Sequence, residues 1–209
     1  MNARHEDLPL DPVEMLAIAD DSQRTAIARL TPDDRLLYLV WGVAWLVAFL
    51  VRWATSGDDP LVDAPTAGGV IYGVALATGA AITGIHIHRR VRGIGGATAR
   101  AGQRWGATWM CAFGAYPFIL GGIDRAHGSD ALIGVVAPVL AVFIVGLMYM
   151  VGGALWDDSI GFVTGGWTIA MAATAAIVGA NGHLLVLGLG GGGGFVVAAA
   201  AAHRRMTAL

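Results

Sequence analysis

The placement of arginine constrains this chain more than any other feature. All 13 of its basic residues are arginines, and only Arg52 and Arg125 stand apart from three clusters. The first cluster is Arg4, Arg24, Arg29 and Arg35; the second is Arg89, Arg90, Arg92, Arg100 and Arg104; the third is Arg204 and Arg205. Long apolar stretches separate them, each of about the 20 residues that cross a bilayer as a helix. Six such stretches put all three clusters on one side, and by the positive-inside rule that side is the cytoplasm. Adding or removing one stretch would send a cluster to the wrong face.

Composition agrees. Of the residues, 56% are hydrophobic and 13% charged, against about 25% charged in an ordinary soluble domain. The expected fold is therefore all-α: a polytopic membrane protein of six transmembrane helices, N-in and C-in, at the cell (inner) membrane. A short amphipathic cytoplasmic helix precedes the bundle. The expected division is a cytoplasmic segment over 1–31, a membrane domain over 32–203 and a tail over 204–209. The chain opens without a basic region followed by an apolar one, so no cleavable signal is expected.

The N-terminal segment has a helix start at Asp11-Pro12-Val13-Glu14, with Asp11 as N-cap and the helix running to about residue 30. Thr31-Pro32-Asp33-Asp34 repeats this pattern, with Thr31 as the expected cap of the first span. Hydropathy places the spans near 35–54, 67–87, 105–123, 131–155, 160–180 and 184–202. Pro117 and Pro138 fall inside spans and predict kinks unless neighbours satisfy the freed carbonyls. The second arginine cluster falls in an inner loop over 89–104. The turn Trp156-Asp157-Asp158-Ser159 carries no arginine, so only its neighbours hold it to the inner side.

Helices in lipid associate through close packing of small residues, because acyl tails are as apolar as leucine. The chain holds 31 glycines. Gly69 and Gly73, continued by Ala77 and Ala81, form one candidate seam, and Gly161 and Gly165 another. In the sixth span Gly190, Gly191, Gly192, Gly193 and Gly194 run unbroken after Gly188. Two readings of this run stay open: a smooth surface for a neighbouring helix, or a break that presents backbone groups to a ligand.

Marks of chemistry are sparse. No Asp, Glu or Arg lies near the middle of a span, which argues against buried carboxylate relays and against a voltage sensor. The missing lysine excludes a P-loop, and no G-x-S-x-G occurs, so no enzymatic activity and no cofactor are expected. His86 and His88 end the second span two residues apart, a spacing that turns them to different faces. They extend the basic cluster toward anionic headgroups or a partner. His127 and His183, with Asp124 and Asp130, gather on the outer side without metal-ligand spacing. The lone Cys111 permits no intramolecular disulfide.

Arg35-Leu36-Leu37-Tyr38, Val40-Trp41-Gly42 and Ala44-Trp45 resemble the first span of small six-span membrane proteins of high-GC actinobacteria, some labelled transport-associated. The plan of the chain is also similar to the permease half of ABC-2-type exporters. That resemblance implies an interfacial helix at 11–30 and a coupling element at 89–104. The chain departs from that family at Asn181-Gly182-His183, which is too short for the extracellular re-entrant helices. The resulting expectation is a small membrane subunit of a transport system, export permease-like, working as a homo-oligomer or with a cytoplasmic ATPase. The alternative is a membrane scaffold or sensor that docks a cytoplasmic regulator. Neither reading involves nucleic acid.

Overall fold

A computed structural model describes residues 11, 15–16, 18, 33–57, 59–92 and 96–207. It is all-helical, and six of its helices are long and apolar enough to cross a membrane. We number them α1 (Asp34–Ala54), α2 (Pro65–Val91), α3 (Gly96–Arg125), α4 (Asp130–Leu155), α5 (Ser159–Val178) and α6 (His183–Thr207). The chain is an integral, multi-pass membrane protein. Of the expected N-terminal helix, most lies outside the described residues; Met15 N–H donates to the Asp11 carbonyl at 2.9 Å, a helical bond.

Helix ends follow local chemistry. Thr31 lies outside the described residues, and the cap of α1 is Asp33, whose carboxylate accepts from the Arg35 and Leu36 amides. Ser129 caps α4 by accepting from Leu132 N–H, and Asp158 caps α5 by accepting from Ile160 and Gly161. The turn from α4 to α5 is tight. Asp157 takes a left-handed φ of 54°, and the Asp158 N–H reaches back 2.9 Å to the Gly153 carbonyl. This is a Schellman-type ending, so Asp158 closes one helix and opens the next.

Two spans exceed their expected lengths. α2 continues through His86, His88, Arg89 and Arg90, and α3 starts at Gly96, with 30 residues. The 89–104 loop is therefore mostly helix. Arg100 and Arg104 stand on the first turns of α3 rather than in a connection. Alanine, arginine and glutamine between 97 and 104 are good helix formers. A helix of that length spans roughly 45 Å, beyond an apolar layer of about 30 Å. Pro117 and Pro138 both sit within unbroken helices.

The core is α1, α4, α5 and α6. Phe195 of α6 is fully buried, with ring centroids 5.0 Å from Trp45, 5.2 Å from Tyr149 and 6.0 Å from Tyr38. Backbones approach closely where glycine replaces a side chain. A Cβ on Gly192 would lie 2.9 Å from the Leu46 nitrogen and 3.0 Å from the Gly42 carbonyl oxygen. A Cβ on Gly146 would lie 2.9 Å from the Gly165 oxygen, so α4 and α5 meet in the same way.

α2 and α3 flank this core. α2 packs on α1, where Gly68 faces Thr55 and Gly79 faces Ala44 and Trp41. α3 touches α4 through Trp105 on Trp156 (5.1 Å), Trp109 on Tyr149 (6.2 Å) and a 3.0 Å bond from the Tyr116 hydroxyl to the Ala137 carbonyl. The most apolar stretch of α3 contains no buried residue. A cavity of about 400 Å³ between α4 and α5 is lined by apolar side chains, among them Val136, Val139, Phe143 and Ile169.

Candidate functional site

The arginine-rich end of the bundle gathers polar groups from four elements. Asp33 is its node. Its backbone N–H donates to His86 Nε2 at 3.0 Å, linking the start of α1 to the end of α2. Its carboxylate caps α1 and also takes both arms of the Arg35 guanidinium, from Nε at 3.0 Å and Nη2 at 2.9 Å. The Arg35 hydrogen bond holds the Asp33 carboxyl below its usual value; partial burial opposes the shift, and the amide hydrogen bonds of the cap add to it.

Arg35 reaches further. Its Nη1 lies 3.3 Å from Nδ1 of His203, near the end of α6. Arg205, two residues further along α6, lies 3.9 Å from the Asp158 carboxylate. Asp158 also accepts from the hydroxyl of buried Tyr38 at 3.4 Å. Asp34 sits close enough to Asp33 and Asp158 to be repelled by both carboxylates. The cluster thus brings opposite charges from α1, the α4–α5 turn and α6, with the His86 imidazole of α2, into one rim.

This rim holds helix ends together. Its strongest contact, Arg35 to Asp33, is local and bidentate. The contacts between helices are single hydrogen bonds at 3.0 to 3.4 Å and one ion pair at 3.9 Å, partly exposed, and therefore easily exchanged for water. Among the described residues no group of three His, Cys, Asp or Glu is placed to hold a metal.

The expected partner-contact residues stand around this rim. His86 is turned inward to Asp33, whereas His88 is exposed, so the two diverge on their helix. Arg89, Arg92, Arg100 and Arg104 are exposed, and Arg90 is half-buried with an interaction of its own. Arg100 and Arg104 are one helical turn apart on α3 and share a face.

The expected glycine seams fare differently. Gly161 packs against the Asp158 carboxylate and Tyr38, and Gly165 against the backbone of Met150. Gly69 and Gly73 meet nothing within 4 Å, and Ala77 and Ala81 are exposed. The seam expected there does not form within this chain; α2 is rotated so that Gly68 and Gly79 face α1 instead. The glycine run of α6 is unbroken helix, but residues Val186–Gly192 wind as a π-helix. Gly188, Gly191 and Gly192 face α1, while Gly190 and Gly194 face Met171 and Trp167 of α5; Gly193 alone of the run faces open space.

At the opposite end, His183 is buried rather than displayed in an outer turn. Its Nδ1 lies 3.0 Å from the Gly179 carbonyl, and its Nε2 meets no partner among the described residues. It is therefore separated from exposed His127, and the outer group of His127, His183, Asp124 and Asp130 does not assemble.

Sequence reasoning missed the rim because its members lie far apart in the chain. One signal was present: Asp33, Asp34, Tyr38, Asp158, His203 and Arg205 all fall on span ends assigned to the same side. No protein-family model matches the chain, and neither a curated protein nor a solved structure matches it significantly.

Proposed function

We propose that this membrane protein is a docking subunit, and that its arginine-rich end engages a cytoplasmic partner, an ATPase of a transport system in the leading version. The observation that carries the reading is the arrangement of Arg89, Arg92, Arg100 and Arg104. Arg89, Arg100 and Arg104 are exposed on helices longer than an apolar layer requires, and Arg92 is exposed just past the end of α2, beside a rim that ties the core helices together. A partner with an acidic face would meet fixed charges on rigid helices rather than a loop, which favours specific docking. Between their end turns α1, α5 and α6 carry no charged residue, and the seam between α1 and α6 is backbone on backbone. That supports a subunit that works beside a partner over a carrier with a polar path of its own.

Purification of the full chain in mild detergent tests this. The expected result is recovery with an ATPase, lost in Arg100→Glu/Arg104→Glu. Recovery as a monomer without ATPase activity would overturn the transport version. The scaffold version, in which the partner is a regulator, separates by deleting residues 1–30: partner binding falls while solute flux stays unchanged.

A further inference from the structure

Glycine in α6 does two different things on two faces. Toward α1 it permits contact: Gly188 faces Phe49 and Leu50, Gly191 faces Trp45, and Gly192 faces the Gly42 carbonyl. Toward α5 it makes a notch. A Cβ on Gly194 would lie 2.5 Å from the Trp167 indole, and one on Gly190 would strike the Met171 sulfur. The indole fills this notch and its Nε1–H donates to the Gly190 carbonyl at 2.8 Å.

That bond falls inside the π segment. A π turn holds one more residue than an α turn, and such segments are short and marginal. At the exit the Gly193 N–H is shared between the Leu189 and Gly190 carbonyls, as the ladder returns to α geometry. The segment's own side chains are confined to Val186, Leu187 and Leu189, and residues 190–194 carry none to hinder a change of winding. Converting the π segment to α would advance the following helix by one residue. That is a rotation of about 100° and a shift of about 1.5 Å.

The helix that would turn is Gly193–Thr207. It carries Phe195, the centre of the aromatic core, and His203 and Arg205, which contact Arg35 and Asp158 at the rim. We infer that the π segment of α6 is a two-position joint, held by the Trp167 indole on the Gly190 carbonyl, and that its release rotates the arginine-rich end of α6. The joint lies within the membrane and its readout lies at the rim, so it links the two without a polar path. The π turn holds one residue more than α geometry needs, so the same chain has two windings open to it, and anything that binds one state better shifts the population.

The experiment uses the full-length protein in nanodiscs with Cys111→Ala and a trifluoromethyl probe on Met206→Cys, an exposed position near the end of α6. Fluorine NMR reports the populations of the two states. Trp167→Phe keeps the ring and removes the N–H; loss of one net hydrogen bond predicts about a five-fold rise in the minor resonance. Deleting Gly193, which faces open space, removes the extra residue while leaving downstream contacts in register. It predicts a folded protein in which the minor resonance is gone. Identical single resonances in the parent and Trp167→Phe would overturn the joint. So would a Gly193 deletion that fails to fold or keeps the minor state. Should Trp167→Phe not fold, the deletion alone decides between these outcomes.

Discussion

The backbone N–H of Asp33 donates to Nε2 of His86 across 3.0 Å, so the N-cap of one span is held by a side chain near the end of the next. An acceptor is required at that atom, which fixes the ring as the tautomer bearing its proton on Nδ1. The bond also satisfies an amide at a helix start, one of the groups an isolated helix leaves unpaired.

Replacing His86 therefore separates shape from acceptor. His86→Gln retains an oxygen that reaches the amide, whereas His86→Leu leaves it unpaired. The expected cost of His86→Leu is about 1 kcal/mol, the net worth of one hydrogen bond, with His86→Gln closer to the parent. Reversible unfolding in mixed micelles measures both. Equal stability of His86→Leu and the parent would show that water replaces the ring at no cost.

Asp33 gives a pH signature. Its carboxyl is held below its usual 3.8 by Arg35, with the cap amides adding to the effect. A folded value below the unfolded one means the contribution is complete above the unfolded value and is lost as pH falls through the folded one. Stability should therefore drop on acidification from pH about 5 to about 3, and Asp33→Asn, which keeps a capping oxygen, should flatten that drop. The pH dependence of the unfolding midpoint is the measurement, and parallel curves for both proteins would remove Asp33 from the account.

Glycines that look alike in sequence should respond oppositely to alanine. A Cβ on Gly165 would run into the backbone of Met150, whereas one on Gly69 meets nothing within 4 Å. Gly165→Ala is expected to destabilise by about 1–3 kcal/mol, as overpacking does. Gly69→Ala should be neutral or slightly stabilising through helix propensity. Gly42→Ala belongs with Gly165, since its Cβ would lie 3.0 Å from the Val196 nitrogen. Unfolding free energies of the three variants rank them, and a costly Gly69→Ala would reveal a contact with a second chain.

α3 should be the loosest span. Its contacts within the chain run to α4 through Trp105, Trp109 and Tyr116. Trp105→Ala/Trp109→Ala removes two aromatic contacts of about 0.5–1.5 kcal/mol each. Hydrogen exchange should then rise along α3 while α1, α5 and α6 keep their protection. A uniform rise across all spans would mean α3 is part of the cooperative core.

The spans themselves are legible in the sequence because the bilayer imposes length and apolarity on each, and arginine fixes their sides. Which face of a span meets its neighbours is not. Lipid and protein interior are equally apolar, so Gly69 and Gly68 look equivalent until the rotation of α2 is known. The same limit hid the burial of His183 and the π winding of Val186–Gly192, both set by packing against other spans. The rim escaped for a different reason: Asp33 and His86 are 53 residues apart, and Tyr38 and Asp158 are 120 apart. Local pattern placed Asp33 and Asp34 at a helix start and Asp158 in the turn between the fourth and fifth spans, but not their meeting.

The seam between α1 and α6 joins the first and last spans, with Arg35 and His203 separated by 168 residues. Translation proceeds at about 5–20 residues per second, so α1 enters the membrane on the order of ten seconds before α6 is made. Throughout that interval Gly42 lacks the α6 backbone it packs against, and Trp45 has no Phe195 to meet. α1 can pair at once with α2 and α4 with α5, but the aromatic core around Phe195 can close only once α6 has been made.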